Sequence, residues 1–101
     1  MREVIMLALT DGAVAAIRTM TSRPGLAPGT GLRIAPEPDD PASLVLRLAD
    51  APEPGDELLD DGGARLFLAP RAARELAGRT LDVRADVSGS VTFHLNGAAA
   101  P

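Results

Sequence analysis

The chain is 101 residues long and 46% apolar, with two aromatic residues, no cysteine and a net charge of −4 from fourteen acids and ten arginines. A single domain of this size buries roughly 60–68% of its unfolded surface and needs neither metal nor disulfide to hold a core. The acidic balance argues against nonspecific binding to nucleic acid or an anionic membrane, and the missing thiols exclude disulfides, thiolate catalysis and cysteine-ligated zinc or iron–sulfur sites built from this chain alone.

One domain is expected over 1–101. Val4 to Leu9 is an apolar run, interrupted at Thr10-Asp11-Gly12 too soon for a signal peptide or membrane span, so a cytoplasmic protein is expected. The run reads as a short edge strand or the lead-in to a helix. Thr10 is a candidate N-cap, and Asp11 suits the positive end of a helix dipole. Ala13, Ala16, Ile17 and Met20 fall on one face with Arg18 opposite, which predicts an amphipathic helix over about 11–22. Arg23-Pro24-Gly25 ends it, and Pro24 to Gly31 is a loop.

Gly31 to Ile34 predicts a short strand with Leu32 and Ile34 inward. Pro36, Pro38 and Pro41 remove backbone donors, so 36–41 is expected to be a turn or exposed loop rather than part of a ladder. Ser43 to Ala49 is the clearest strand of the first half, with Leu44, Leu46 and Leu48 inward. After a second turn over Asp50 to Gly55, Glu57 to Asp60 forms a strand. Asp61-Gly62-Gly63 turns it into another at Ala64 to Ala69. Ala72, Ala73, Leu76 and Ala77 recur at helical spacing, giving a helix over about 70–77 that Gly78 stops as a left-handed residue. Leu81, Val83, Ala85 and Val87 then alternate with Asp82, Arg84 and Asp86. Ser88-Gly89 suits a hairpin turn, and Val91, Phe93 and Leu95 continue the buried face. Ala98 to Pro101 reads as a frayed end. The sum is a β-dominated α+β domain of short, mostly antiparallel strands, with one sheet partly covered by the first helix.

The ordered set Thr10, Ala13, Gly31-Leu32-Arg33-Ile34, Asp50 to Pro52, Asp56, Gly63, Leu66, Leu76-Ala77-Gly78, Leu81-Asp82, Gly89, Phe93 and Asn96 resembles the HesB/IscA family of A-type iron–sulfur carriers across nearly the whole chain. The resemblance implies a compact fold of mixed β-sheets flanked by helices, often dimeric or tetrameric. It also implies three cysteine ligands, one in a turn after the GLRI-like strand and two in a C-terminal tail. Here the turn is Glu37 to Ala42, the tail is Gly97 to Pro101, and neither holds a cysteine. No family ligand carries over to any position.

The remaining candidates are weak. Glu37, Asp39 and Asp40 sit in the turn that would hold the family's first ligand, and carboxylates there suit a hard cation. With no EF-hand spacing and no glycine to permit a tight wrap, they read first as a solvated acidic turn with prolines. His94, the only histidine, falls on the polar face of its strand, with Asp82 or Asp86 as possible neighbours across the hairpin. Ser88 or Ser90 with Asp86 and His94 lacks a strand-to-helix elbow for a catalytic triad. Gly25 to Gly31 lacks the phosphate-loop order. Asp56, Glu57, Asp60 and Asp61 read as a solvated hairpin tip, or a docking surface for a basic partner. The expectation is a non-catalytic scaffold without cofactor that binds a protein partner or a second copy, and neither nucleic acid nor membrane. The alternative is a protein that holds iron or another metal through carboxylates and His94.

Overall fold

Thr10 starts the first helix as its position predicts. Its backbone is extended, and its hydroxyl accepts the Ala13 amide at 3.1 Å. In the computed structural model, which describes residues 7–85, 87–88 and 91–96, β1 (Ala8–Leu9) leads into this helix, α1 (Asp11–Thr21). Ala13 and Ile17 are fully buried on its inner face. Removing one such large aliphatic side chain from water is worth about 1.5–3 kcal/mol.

The chain continues through β2 (Gly31–Glu37), β3 (Asp40–Ala49), β4 (Glu57–Asp61), β5 (Ala64–Leu68), α2 (Pro70–Leu76), β6 (Thr80–Ala85) and β7 (Val91–Asn96). These strands form two sheets, not one. The larger has the order β3-β2-β5-β4 and the smaller β1-β6-β7. Three contacts are antiparallel, as the short turns predict, but β2 runs parallel to β5 and β1 parallel to β6. Local patterning carries no signal for these two pairings, because each joins segments far apart in sequence. α1 packs on strands of both sheets, touching β5, β2, β1 and β6. The core runs between them through Ile17, Leu32, Ile34, Leu66, Leu68, Leu76 and Leu81.

The prolines do not end the ladder where expected. β2 runs on through Pro36 and β3 starts at Asp40, so the hairpin continues almost to its tip. Past Ile34, β2 has a partner on one side only, since its pairing with β5 covers Leu32 to Ile34. A missing N–H costs little in a strand with an open side, and Pro41 lies on the sheet's edge strand. A register irregularity between Pro36 and Glu37 marks the accommodation.

Phe67 is buried with Leu66 and Leu68 although it points to the opposite face. The chain entering β2 crosses over its ring. A Cβ on Gly31 would fall 2.9 Å from the ring and 2.8 Å from the Arg65 carbonyl oxygen, so only glycine permits the crossing. The turn between β4 and β5 uses Gly62 and Gly63 at φ 61 and 94°, and Gly78 follows α2 at φ 78°, both as the sequence predicts. Between β6 and β7 the last described pair is Ala85 with Val91, which brackets Ser88. Ala85 and Val87 are exposed, so the inward face ends at Val83. Val4 to Met6, Asp86, Gly89, Ser90 and the expected frayed end lie outside the described residues.

Candidate functional site

Four acidic or imidazole side chains were singled out by sequence, and they occupy two sheets. Glu37 and Asp40 are opposite one another at the end of the β2–β3 hairpin, with Asp39 in its turn. Asp39 and Asp40 are exposed and Glu37 half-buried. The Asp39 amide donates to Glu37 Oε1 at 3.4 Å, and the Ser43 hydroxyl donates to Asp40 Oδ2 at 2.9 Å. Both bonds lie within the turn. His94 lies on β7 of the smaller sheet, directly opposite Asp82 on β6. Among the described residues, no group of three or more histidine, aspartate or glutamate side chains gathers as a metal site.

Two other carboxylates have more definite surroundings. Asp56 has a fully buried side chain and takes a two-pronged contact from Arg33: Nε donates to Oδ2 at 2.8 Å and a terminal nitrogen to Oδ1 at 2.9 Å. The Glu53 amide adds a third bond to Oδ2 at 2.9 Å, and the Glu53 carboxylate stands 3.5 Å from the same guanidinium. The Arg33 hydrogen bonds hold the Asp56 carboxyl below its usual range, against the opposing effect of burial. Asp56 therefore leaves the acidic run with which its sequence grouped it. It pins the 50–56 turn across the outer face of β2.

Asp82 does the same work in the smaller sheet. Its Oδ1 accepts the Val83 amide at 2.7 Å and the Thr10 hydroxyl at 2.8 Å, and these bonds lower its pKa, the backbone bond most. Thr10 thus caps α1 with its oxygen and ties the helix start to β6 with its proton. Neither role is visible in the sequence, because Arg33 and Asp56 are 23 positions apart and Thr10 and Asp82 are 72 apart.

Between the hairpin and the 50–56 turn lies a groove of about 390 Å³. Ala35 and Val45 floor it, with Arg33, Arg47, Glu37 and Glu53 around them. An apolar centre with a rim of mixed charge is the composition of a modest protein-contact surface.

No family model matches the sequence. The chain is 36% identical over 97 residues to the uncharacterised protein blr1755 of Bradyrhizobium diazoefficiens, covering 93% of this chain and 91% of that one. Its fold matches that of Escherichia coli SufA, involved in biosynthesis of iron–sulfur clusters, with a TM-score of 0.69 and 26% identity over 92% of this chain and 88% of the other. IscA, solved with a 2Fe–2S cluster, superposes with a TM-score of 0.61 at 26% identity over 91% and 85% of the two chains. A protein from Aquifex aeolicus solved in solution shares the fold, with a TM-score of 0.70 at 21% identity and 96% coverage of both. The chain is a relative of blr1755 with the fold of the SufA/IscA-like iron–sulfur assembly proteins, and it contains no cysteine.

That likeness raises the question of a cluster, and the donor set here does not fit one. An iron–sulfur cluster is held chiefly by thiolates, and this chain supplies none. In the turn after β2, where the family resemblance puts the first ligand, stand exposed or half-exposed carboxylates already engaged in turn hydrogen bonds. Among the described residues no helix is long and apolar enough to cross a membrane.

Proposed function

We propose that this protein is a non-catalytic scaffold of the iron–sulfur assembly family that no longer carries a cluster itself and acts by binding another protein in the cytoplasm. One observation carries the reading: the HesB/IscA-like fold is kept over more than nine-tenths of the chain while the cysteine count is zero. What the scaffold retains is surface, in the mixed-charge groove, the acidic edge strand β4 and the free edge of the smaller sheet. A partner already engaged in iron–sulfur assembly would meet a familiar shape without competing thiolates.

The test is elemental analysis with a UV–visible spectrum on protein expressed with added iron and purified without air. Colourless protein with iron far below one atom per chain is the expected result. Stoichiometric iron overturns it, and its loss in Glu37→Ala, Asp39→Ala, Asp40→Ala or His94→Ala would establish cation binding through those side chains instead. A pull-down at native salt that recovers no iron–sulfur assembly protein would remove the pathway assignment while leaving the fold untouched.

A further inference from the structure

The groove beside the 50–56 turn carries three successive rows of side chains. β2 and β3 set Arg33 directly opposite Arg47, and Ala35 directly opposite Val45. Glu37 follows on β2, at the hairpin tip with Asp39 and Asp40. Residues two apart on a strand share a face at about 6.5–7 Å. The rows are therefore cationic, apolar and acidic in turn. The register irregularity between Pro36 and Glu37 does not take Glu37 out of line, since it borders the same groove of about 390 Å³ as both arginines, Ala35 and Val45.

These charges are not equally committed. Arg33 is neutralised by Asp56, and Glu53 of the facing turn stands 3.5 Å from the same guanidinium. Arg47 is exposed, and among the described residues no ion pair or hydrogen bond reaches it. Glu37 is half-buried and takes one long bond, from the Asp39 amide at 3.4 Å. Pro36 and Pro38 border its end of the groove and have no N–H to offer. One end thus presents guanidinium donors and the other carboxylate acceptors. The half-buried floor of Ala35 and Val45 separates them.

We propose that this groove holds an extended segment of a partner protein in which an acidic, an apolar and a basic side chain stand at alternate positions. The acid meets Arg47, the apolar side chain covers Ala35 and Val45, and the base meets Glu37. Charge complementarity selects this occupant. A wholly basic segment sets a cation against Arg47, and a wholly acidic one sets a carboxylate against Glu37, with Asp39 and Asp40 close by. A nucleic acid or an anionic membrane presents one sign of charge and suits only one end. An extended chain has the rise and the two-residue repeat of the strands beneath it, so its alternate side chains match the rows. The inference rests on the reading of this protein as a binder of other proteins and narrows that reading to one surface and one pattern.

The probe is a capped peptide with glutamate, valine and lysine at alternate positions and serines between them. Followed by amide NMR of isotope-labelled protein, it should shift Arg33, Ala35, Glu37, Val45 and Arg47 and saturate with a Kd near ~1 mM, as suits a short flexible ligand. A scrambled peptide, with glutamate and lysine adjacent, should bind about fivefold more weakly. Arg47→Glu changes an exposed position, so the rest of the amide spectrum should stay in place while the probe weakens about tenfold. A peptide with lysine in place of the glutamate should then recover binding to that variant. No saturable shift at ~10 mM probe, equal binding of the scrambled peptide, or unchanged binding to Arg47→Glu overturns the proposal and leaves protein binding to the other surfaces. A pull-down that recovers no iron–sulfur assembly protein, beside a probe that saturates, faults the pathway instead and leaves the groove.

Discussion

Asp56 and Asp39 are both aspartates in proline-rich turns of the larger sheet, and they lead opposite lives. Asp39 is exposed, and its turn is closed by bonds within 37–43. Asp56 is sealed from solvent and gathers a guanidinium and a backbone amide. Local sequence does not separate them. The difference is a basic partner presented by a neighbouring strand: Arg33 stands on β2, beside the 50–56 turn, and its guanidinium meets Asp56 at 2.8 Å. A carboxylate is structural where the fold delivers it a cation out of water, and is available to a ligand only where it does not.

Asp56→Ala is the most severe way to break the contrast. It strands the Arg33 charge against the sheet, and the expected loss is about 3 kcal/mol, read as a lower midpoint in urea unfolding. A loss below about 1 kcal/mol would put Asp56 in the same class as Asp39. The pH profile sharpens the same point. The folded Asp56 carboxyl titrates below its unfolded value of about 3.9, so its contribution is fully present above that pH and disappears as pH falls through the folded value. Between pH 5 and pH 2, Asp56→Asn should therefore lose less stability than the parent chain. A parallel pair of acid-unfolding curves would contradict this.

Thr10→Ala removes the helix cap and its bond to Asp82 together, at an expected cost of about 1–2 kcal/mol in thermal or urea unfolding. Thr10→Ser, which keeps the hydroxyl, should recover most of it. At the small end, Asp39→Asn should shift stability by no more than about 0.5 kcal/mol. A larger change there would mean that the exposed turn holds a contact beyond its own residues.

Much of this fold was legible from spacing. Thr10 before Ala13, Ile17 and Met20 marked α1, Gly62-Gly63 and Gly78 marked two chain reversals, and alternation at Leu81 to Ala85 and Phe93 to Leu95 marked the small sheet. The parallel contacts were not legible, since turn chemistry reports only neighbours in sequence. Prolines 36 and 41 misled because their cost depends on whether the strand has a partner on each side, which is a property of the assembled sheet. Phe67 shows the same limit: alternation assigns it the outer face, and only the crossing of Gly31 explains why that face is dry. At the candidate site, composition alone showed what is missing. The surroundings of Asp56 and Asp82 had to come from the structure.

The pairing of β1 with β6, reinforced by the Thr10–Asp82 bond, has a consequence for how the chain is made. α1 leaves a ribosome well before a strand it packs on, and Asp82, the carboxylate that ties down its cap, lies 72 positions beyond Thr10. The part of its apolar stripe that faces β6 must wait while some sixty further residues are synthesised, at roughly 5–20 residues per second. During those seconds the nascent helix depends on its own cap and on the slow arrival of long-range contacts. The birth of this protein, more than its finished form, is therefore where a chaperone would find something to hold.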